Sequence, residues 1–146
     1  MDERGFAVSL DAVLALIPVL IVVAAVTSIN YYDPLTTESH VRLSHSAQDS
    51  IEAMAHYKEN DGSNTLQDIS NILKENQNDE TGIKNAGQIA GSFLNKTLNG
   101  TKYSLTEETQ LKGKVIASNA DLKSADNVAV GVKNCEDYTF KLYVWS

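Results

Sequence analysis

The chain carries a single cysteine, Cys135, among its 146 residues. An intramolecular disulfide framework is therefore excluded, and so is any zinc ribbon built on paired cysteines. Two prolines and eight glycines are too few for a long low-complexity chain. Basic residues are also scarce. Twelve lysines and arginines stand against nineteen aspartates and glutamates, for a net charge of -7. No basic run offsets that balance, so a surface that tracks phosphates is not expected, and nucleic acid is not an expected partner. No internal repeat marks the chain as a solenoid or propeller. Its length suits one modest folded domain.

The mean hydropathy of -0.22 describes an ordinary soluble protein, yet the apolar residues are unevenly placed. Ala12 to Val26 form an unbroken run of fifteen apolar or small residues, with Pro18 inside it. Widening the window to Gly5–Ile29 adds only Ser9, Asp11, Thr27 and Ser28 as polar side chains. As a helix these 25 residues would extend roughly 37 Å, against a hydrocarbon thickness of about 30 Å. The segment reads as a single membrane span, with lipid as its first partner. A cleaved secretory signal would need a basic leader and a shorter apolar stretch, whereas Met1–Gly5 holds Asp2, Glu3 and only Arg4. A buried core helix is the third reading.

The large part after the span carries two N-glycosylation sequons, Asn95-Lys96-Thr97 and Asn99-Gly100-Thr101, which favour a cytoplasmic amino terminus and an extracytoplasmic carboxyl-terminal domain. Three acids against Arg4 leave the first 29 residues at -2 and the remainder at -5, so most of the acidic balance belongs to that outer domain. Asp11 is expensive inside hydrocarbon. It either meets a cationic partner or snorkels to the interface. Pro18 removes one helical hydrogen bond and is expected to bend the span.

Beyond Ile29, Tyr31 and Tyr32 suit a headgroup belt, and Asp33-Pro34 is expected to break the helix. Leu43, Ala47, Ile51, Met54 and Ala55 then fall on one helical face, with Thr37 or Ser39 as candidate caps and Glu59-Asn60-Asp61-Gly62 as the stop. A second helix is predicted from Thr65 to Lys74 on Leu66, Ile69, Ile72 and Leu73. A third is predicted from Thr81 to Leu98 on Ile83, Ala86, Ala90, Phe93, Leu94 and Thr97, closed by Asn99-Gly100. After Gly100 the period becomes two. Tyr103 and Leu105, then Leu111, Gly113, Val115 and Ala117, then Val128, Val130 and Val132, then Tyr138, Phe140, Leu142 and Val144 give four apolar faces. The expected fold is α+β: an N-terminal transmembrane helix, further amphipathic helices, then a C-terminal four-stranded antiparallel meander.

No Walker loop, dinucleotide glycine pattern, His-Glu-x-x-His or nucleophile elbow occurs, so neither an enzyme nor a cofactor is expected. His40 and His45 are spaced poorly for one metal on a helix, and His56 joins them on a polar-rich segment. No catalytic motif surrounds Cys135, which reads as a structural thiol. Glu107-Glu108 and Asp79-Glu80 read as turns and solvated surface. What remains is assembly: small residues at Ala12, Ala15, Ala24 and Ala25 would let apolar helices pack closely.

Arg4-Gly5-Phe6, the apolar stretch to Ile29 and the strands from Tyr103 to Trp145 together resemble type IV filament proteins, the pilins and pseudopilins and their archaeal relatives. The start Gly5-Phe6-Ala7-Val8-Ser9-Leu10-Asp11 is similar to small archaeal surface proteins. The resemblance implies residues 1–5 as a leader, 6–29 as the transmembrane and assembly helix, and 30–146 as an extracytoplasmic α+β head. It implies a membrane prepilin peptidase cutting after Gly5 to free Phe6, and self-association or other pilin-like subunits as partners. In that family a glutamate at the fifth mature position neutralises a neighbour's terminal amine. Here Leu10 holds the fifth position from Phe6, and Asp11 holds the sixth. The resemblance therefore implies a pilin-like subunit or minor component of an archaeal surface filament. The alternative is an uncleaved single-pass membrane protein with an external ligand- or partner-binding head.

Overall fold

The computed structural model describes residues 34–58 and 62–146. The chain divides into two units, residues 1–38 and 39–146, and apart from the first residues of one helix the description below concerns the second. Gly5, Phe6, Asp11 and Pro18, with the whole predicted span, lie outside the described residues. Among those that are described, no helix is long and apolar enough to cross a membrane.

Three helices precede four strands. Helix α1 runs Pro34–His56, α2 Thr65–Glu75 and α3 Glu80–Thr97. Helix α1 is already helical at Pro34, the first described residue, earlier than a cap at Thr37 or Ser39 would place its start. Ala47, Ser50, Ile51 and Met54 make the buried stripe of α1. Burying a side chain such as Ile51 or Met54 is worth about 1.5–3 kcal/mol. Helix α2 starts at an Asn64 cap whose side chain accepts from the Gln67 N–H at 2.9 Å. Helix α3 starts at Asp79, which accepts from the Gly82 N–H at 2.7 Å. Each cap satisfies one orphan donor of its helix end. Leu66, Ile69 and Leu73 of α2 and Ala86, Ala90 and Leu94 of α3 face the core.

The strands are β1 (Lys102–Glu107), β2 (Lys114–Ser118), β3 (Val128–Cys135) and β4 (Tyr138–Trp145). The sheet is antiparallel, as expected, but its order is β2-β1-β4-β3, which corrects the meander. Two hairpins join through β1 and β4, and residues 119–127 carry the chain from one edge to the other. The order follows side-chain volume. Tyr103 and Leu105 on β1, with Tyr138, Phe140, Leu142 and Val144 on β4, fill the centre under the helices. Edge strand β3 turns small residues inward, Ala129 and Gly131.

That choice reverses the phase expected for β3. Val130 and Val132 are exposed, while Ala129 and Gly131 are buried. A Cβ added at Gly131 would lie 2.6 Å from the Ala47 carbonyl oxygen of α1 and 2.9 Å from its carbon. The helix backbone thus rests directly on the strand, and larger inward side chains would lift it off. The other edge repeats the device, because a Cβ on Gly87 of α3 would collide with the Ile116 carbonyl of β2. Edge strands invite unwanted pairing, and here each carries a helix at close range. The phase of β2 is corrected as well. Leu105 pairs with Ala117 and Thr106 with Val115, so Ile116 is the extra residue of a β-bulge. Ile116 and Ala117 are both buried and Val115 is exposed, while Leu111 and Gly113 belong to the turn before the strand.

Candidate functional site

Glu107 ends β1 on the same inward parity as Tyr103 and Leu105, and it is fully buried. This corrects its reading as solvated surface. Its Oε1 accepts the N–H of Thr109 at 2.8 Å and of Thr139 at 2.9 Å. Its Oε2 accepts the N–H of Gln110 at 2.8 Å and of Leu111 at 2.6 Å. One carboxylate thus gathers four backbone donors, three from the β1–β2 turn and one from β4. All four lone-pair directions of the group are used, which leaves it nothing with which to act on a substrate. It is a structural staple. Its neighbour Glu108 is half-buried, accepts from the Thr106 hydroxyl at 2.7 Å and lies 3.7 Å from the Lys141 ammonium.

In the same cross-strand row, where Glu107 of β1 and Lys133 of β3 both pair with Phe140 of β4, Glu52 of α1 meets Lys133 at 2.7 Å, and His56 Nε2 lies 3.1 Å from the same oxygen. The hydrogen bond from Lys133 holds the Glu52 carboxyl below the usual glutamate range; burial opposes this, and the charges of Lys133 and His56 add to it. Burial pushes the Tyr103 phenol up, and the Tyr138 phenol likewise. Tyr103 donates to Asn95 Oδ1 at 3.1 Å, and Tyr138 to Asn78 Oδ1 at 2.9 Å. These bonds tie strands to helices. Cys135 is half-buried at the end of β3, 3.8 Å from Gln67 Oε1. His40 and His45 are exposed on α1. Among the described residues no group of three His, Cys, Asp or Glu side chains is placed to hold a metal.

A groove of about 700 Å³ opens between the end of α1, the start of α2 and α3. Ala53, Tyr57, Ile89 and Phe93 give it apolar walls, and Asp68 and Lys96 bring one charge of each sign. Tyr57 is 63% exposed there. No pair within it has the geometry of a nucleophile and its base. The groove can hold an apolar side chain or small molecule.

The two sequons differ in setting. Asn95 sits in the last turns of α3 with its amide engaged by Tyr103. Asn99 lies beyond the helix in an exposed turn with φ of 28°. Asn95 meets Tyr103, a core residue, and among the described residues neither asparagine meets another candidate site residue named from the sequence. Glu107 is the buried charged group that sequence reasoning missed. Its parity with Tyr103 and Leu105 was the available signal, since an inward position at a strand end demands a satisfied side chain. No protein-family model, no curated protein and no solved structure matches this chain.

Proposed function

We propose that this protein is a pilin-like structural subunit, or a minor component, of an archaeal type IV filament, anchored and assembled through its N-terminal apolar helix. The observation that carries the reading is the sequence Arg4-Gly5-Phe6 followed by apolar residues to Ile29. Support comes from the order of the described elements, in which a long helix precedes a four-stranded antiparallel sheet and rests on it at Gly131. The side-chain chemistry of the head agrees. Its buried carboxylate is consumed by backbone donors, and the Glu52–Lys133 ion pair joins helix to strand.

In this reading the head stands outside the membrane, residues 1–5 are a leader, and Phe6 begins the mature chain. Asp11 then meets the terminal amine of a neighbouring subunit. A carboxylate and an amine that neutralise each other within hydrocarbon avoid the cost of either alone. Pro18 bends the helix that carries them. The alternative, an uncleaved single-pass protein whose head binds a ligand or partner, draws its support from the groove beside Tyr57 and Phe93.

Shearing of native cells followed by high-speed sedimentation separates the two. The filament reading expects the protein in the sedimenting filament fraction, and expects Asp11→Ala to leave it in the membrane. Recovery of the wild-type chain only as a detergent-soluble monomer or small oligomer would favour the alternative.

A further inference from the structure

The two sequons differ by only four positions, yet the fold treats them oppositely. Transfer of a glycan to asparagine requires one catalyst to hold the asparagine amide and the hydroxyl two residues later at the same time. In an α-helix, side chains at i and i+2 point about 200° apart, so a helical sequon presents these two groups on opposite faces. Asn95-Lys96-Thr97 lies wholly within α3 (Glu80–Thr97). Both of its reactive groups are also engaged. Asn95 Oδ1 accepts from the Tyr103 hydroxyl at 3.1 Å, and the Thr97 hydroxyl donates to the Phe93 carbonyl at 3.0 Å.

Asn99-Gly100-Thr101 has none of these constraints. Leu98 closes the helix, with its N–H on the Leu94 carbonyl. The chain then reverses through Asn99 at φ 28° and Gly100 at φ 90°. Left-handed φ is uncommon for a residue with a side chain, and asparagine is one of the few types that tolerate it. Asn99 and Gly100 are exposed, and a Cβ placed on Gly100 would meet no atom within 4 Å. Among the described residues the Asn99 side chain has no hydrogen-bond partner, and neither has the Thr101 hydroxyl. Asn99 and Gly100 stand exposed at the junction of α3 and β1, with Thr101 half-buried beside them and held only through its backbone, to Leu98 and Asn119.

From this geometry we infer that Asn99, and not Asn95, is the acceptor for an N-linked oligosaccharide on the folded head. The donor is a polyprenyl-phosphate-linked oligosaccharide. The Asn99 amide nitrogen attacks the anomeric carbon, and the bond from that carbon to the phosphate oxygen breaks. The polyprenyl phosphate leaves with the bonding pair, and the amide proton passes to a base of the transferase. Use of the site in cells rests on the extracytoplasmic placement proposed above. The transfer itself does not, so the two can fail separately.

The test uses the full chain, folded in detergent, with a single-subunit oligosaccharyltransferase of relaxed Asn-x-Thr specificity and its lipid-linked donor. Intact mass and peptide mapping read the product. The expected result is one glycan per chain, mapped to Asn99. Thr101→Ala should abolish it, and Thr97→Ala should leave it unchanged. A short peptide covering residues 92–104, which has no helix to protect Asn95, should accept at both asparagines. A glycan on Asn95 of the folded chain at a level equal to Asn99 would overturn the inference. So would a folded chain that accepts nothing while the peptide is modified.

Discussion

Replacing Glu107 by glutamine changes one atom of a buried group and removes its ability to accept on one side. Whichever way the amide turns, its NH2 faces two backbone N–H groups, either those of Thr109 and Thr139 or those of Gln110 and Leu111. In each pair one donor belongs to an exposed turn residue that water can reach. The other, on half-buried Thr139 or buried Leu111, is shielded. A hydrogen bond to a charged acceptor contributes about 1.5–3 kcal/mol, and a shielded donor left unmet costs about 1–3 kcal/mol. Partial rehydration lowers the sum, and the expected destabilisation is roughly 2–4 kcal/mol. For a domain of this size each kcal/mol moves Tm by about 4–8 °C, so Tm should fall by roughly 10–30 °C. The sole tryptophan, Trp145, is fully buried and reports unfolding of the head by fluorescence in urea, with the full chain held in detergent. Glu108→Gln is the control. It weakens a half-exposed ion pair and leaves the amide oxygen to accept from the Thr106 hydroxyl, and its expected effect is below about 1 kcal/mol. The reasoning fails if Glu107→Gln stays within about 0.5 kcal/mol of wild type, or if Glu108→Gln destabilises as much.

Two further outcomes follow from the helix contacts. Gly131→Ala should destabilise by about 1–3 kcal/mol or more, because the new methyl meets the Ala47 carbonyl of α1 and rigid backbone must move; equal urea midpoints for variant and wild type would contradict the close approach. The Glu52–Lys133 pair should give an acid-side pH dependence. Its folded carboxyl is held below the ordinary glutamate value of about 4.3, so its contribution is present above that value and is lost as pH falls through the lowered one. The stability gap between wild type and Glu52→Gln should therefore narrow on acidification, and a gap that stays constant from neutral pH down would refute it.

Much of the head is legible in the sequence, and the exceptions have physical causes. Helices α2 and α3 fall within a residue or two of their predicted ends, because Leu66, Ile69 and Leu73, and Ala86, Ala90 and Leu94, repeat at helical spacing on one face. Strand β4 is equally plain, since four bulky apolar residues alternate with polar ones. Strand β3 misleads because hydropathy ranks Val130 and Val132 above Ala129 and Gly131, whereas the space under α1 admits only the small pair. The bulge at Ile116 is invisible to a strict period of two. The strand order was hidden too, because a hairpin-by-hairpin reading carries no information about which strands fill the centre. Glu107 escaped notice because acidic pairs usually mark solvated turns. The sequons are legible as motifs, while the difference between them depends on where α3 ends. Gly5, Phe6, Asp11 and Pro18 rest on sequence alone.

The intact mass and amino-terminal sequence of the protein purified from its native membranes test the central claim most directly. The account predicts a chain that has lost Met1–Gly5 and begins at Phe6, once any glycan is removed enzymatically. A deglycosylated chain of the full 15.9 kDa, still beginning at Met1, would contradict it.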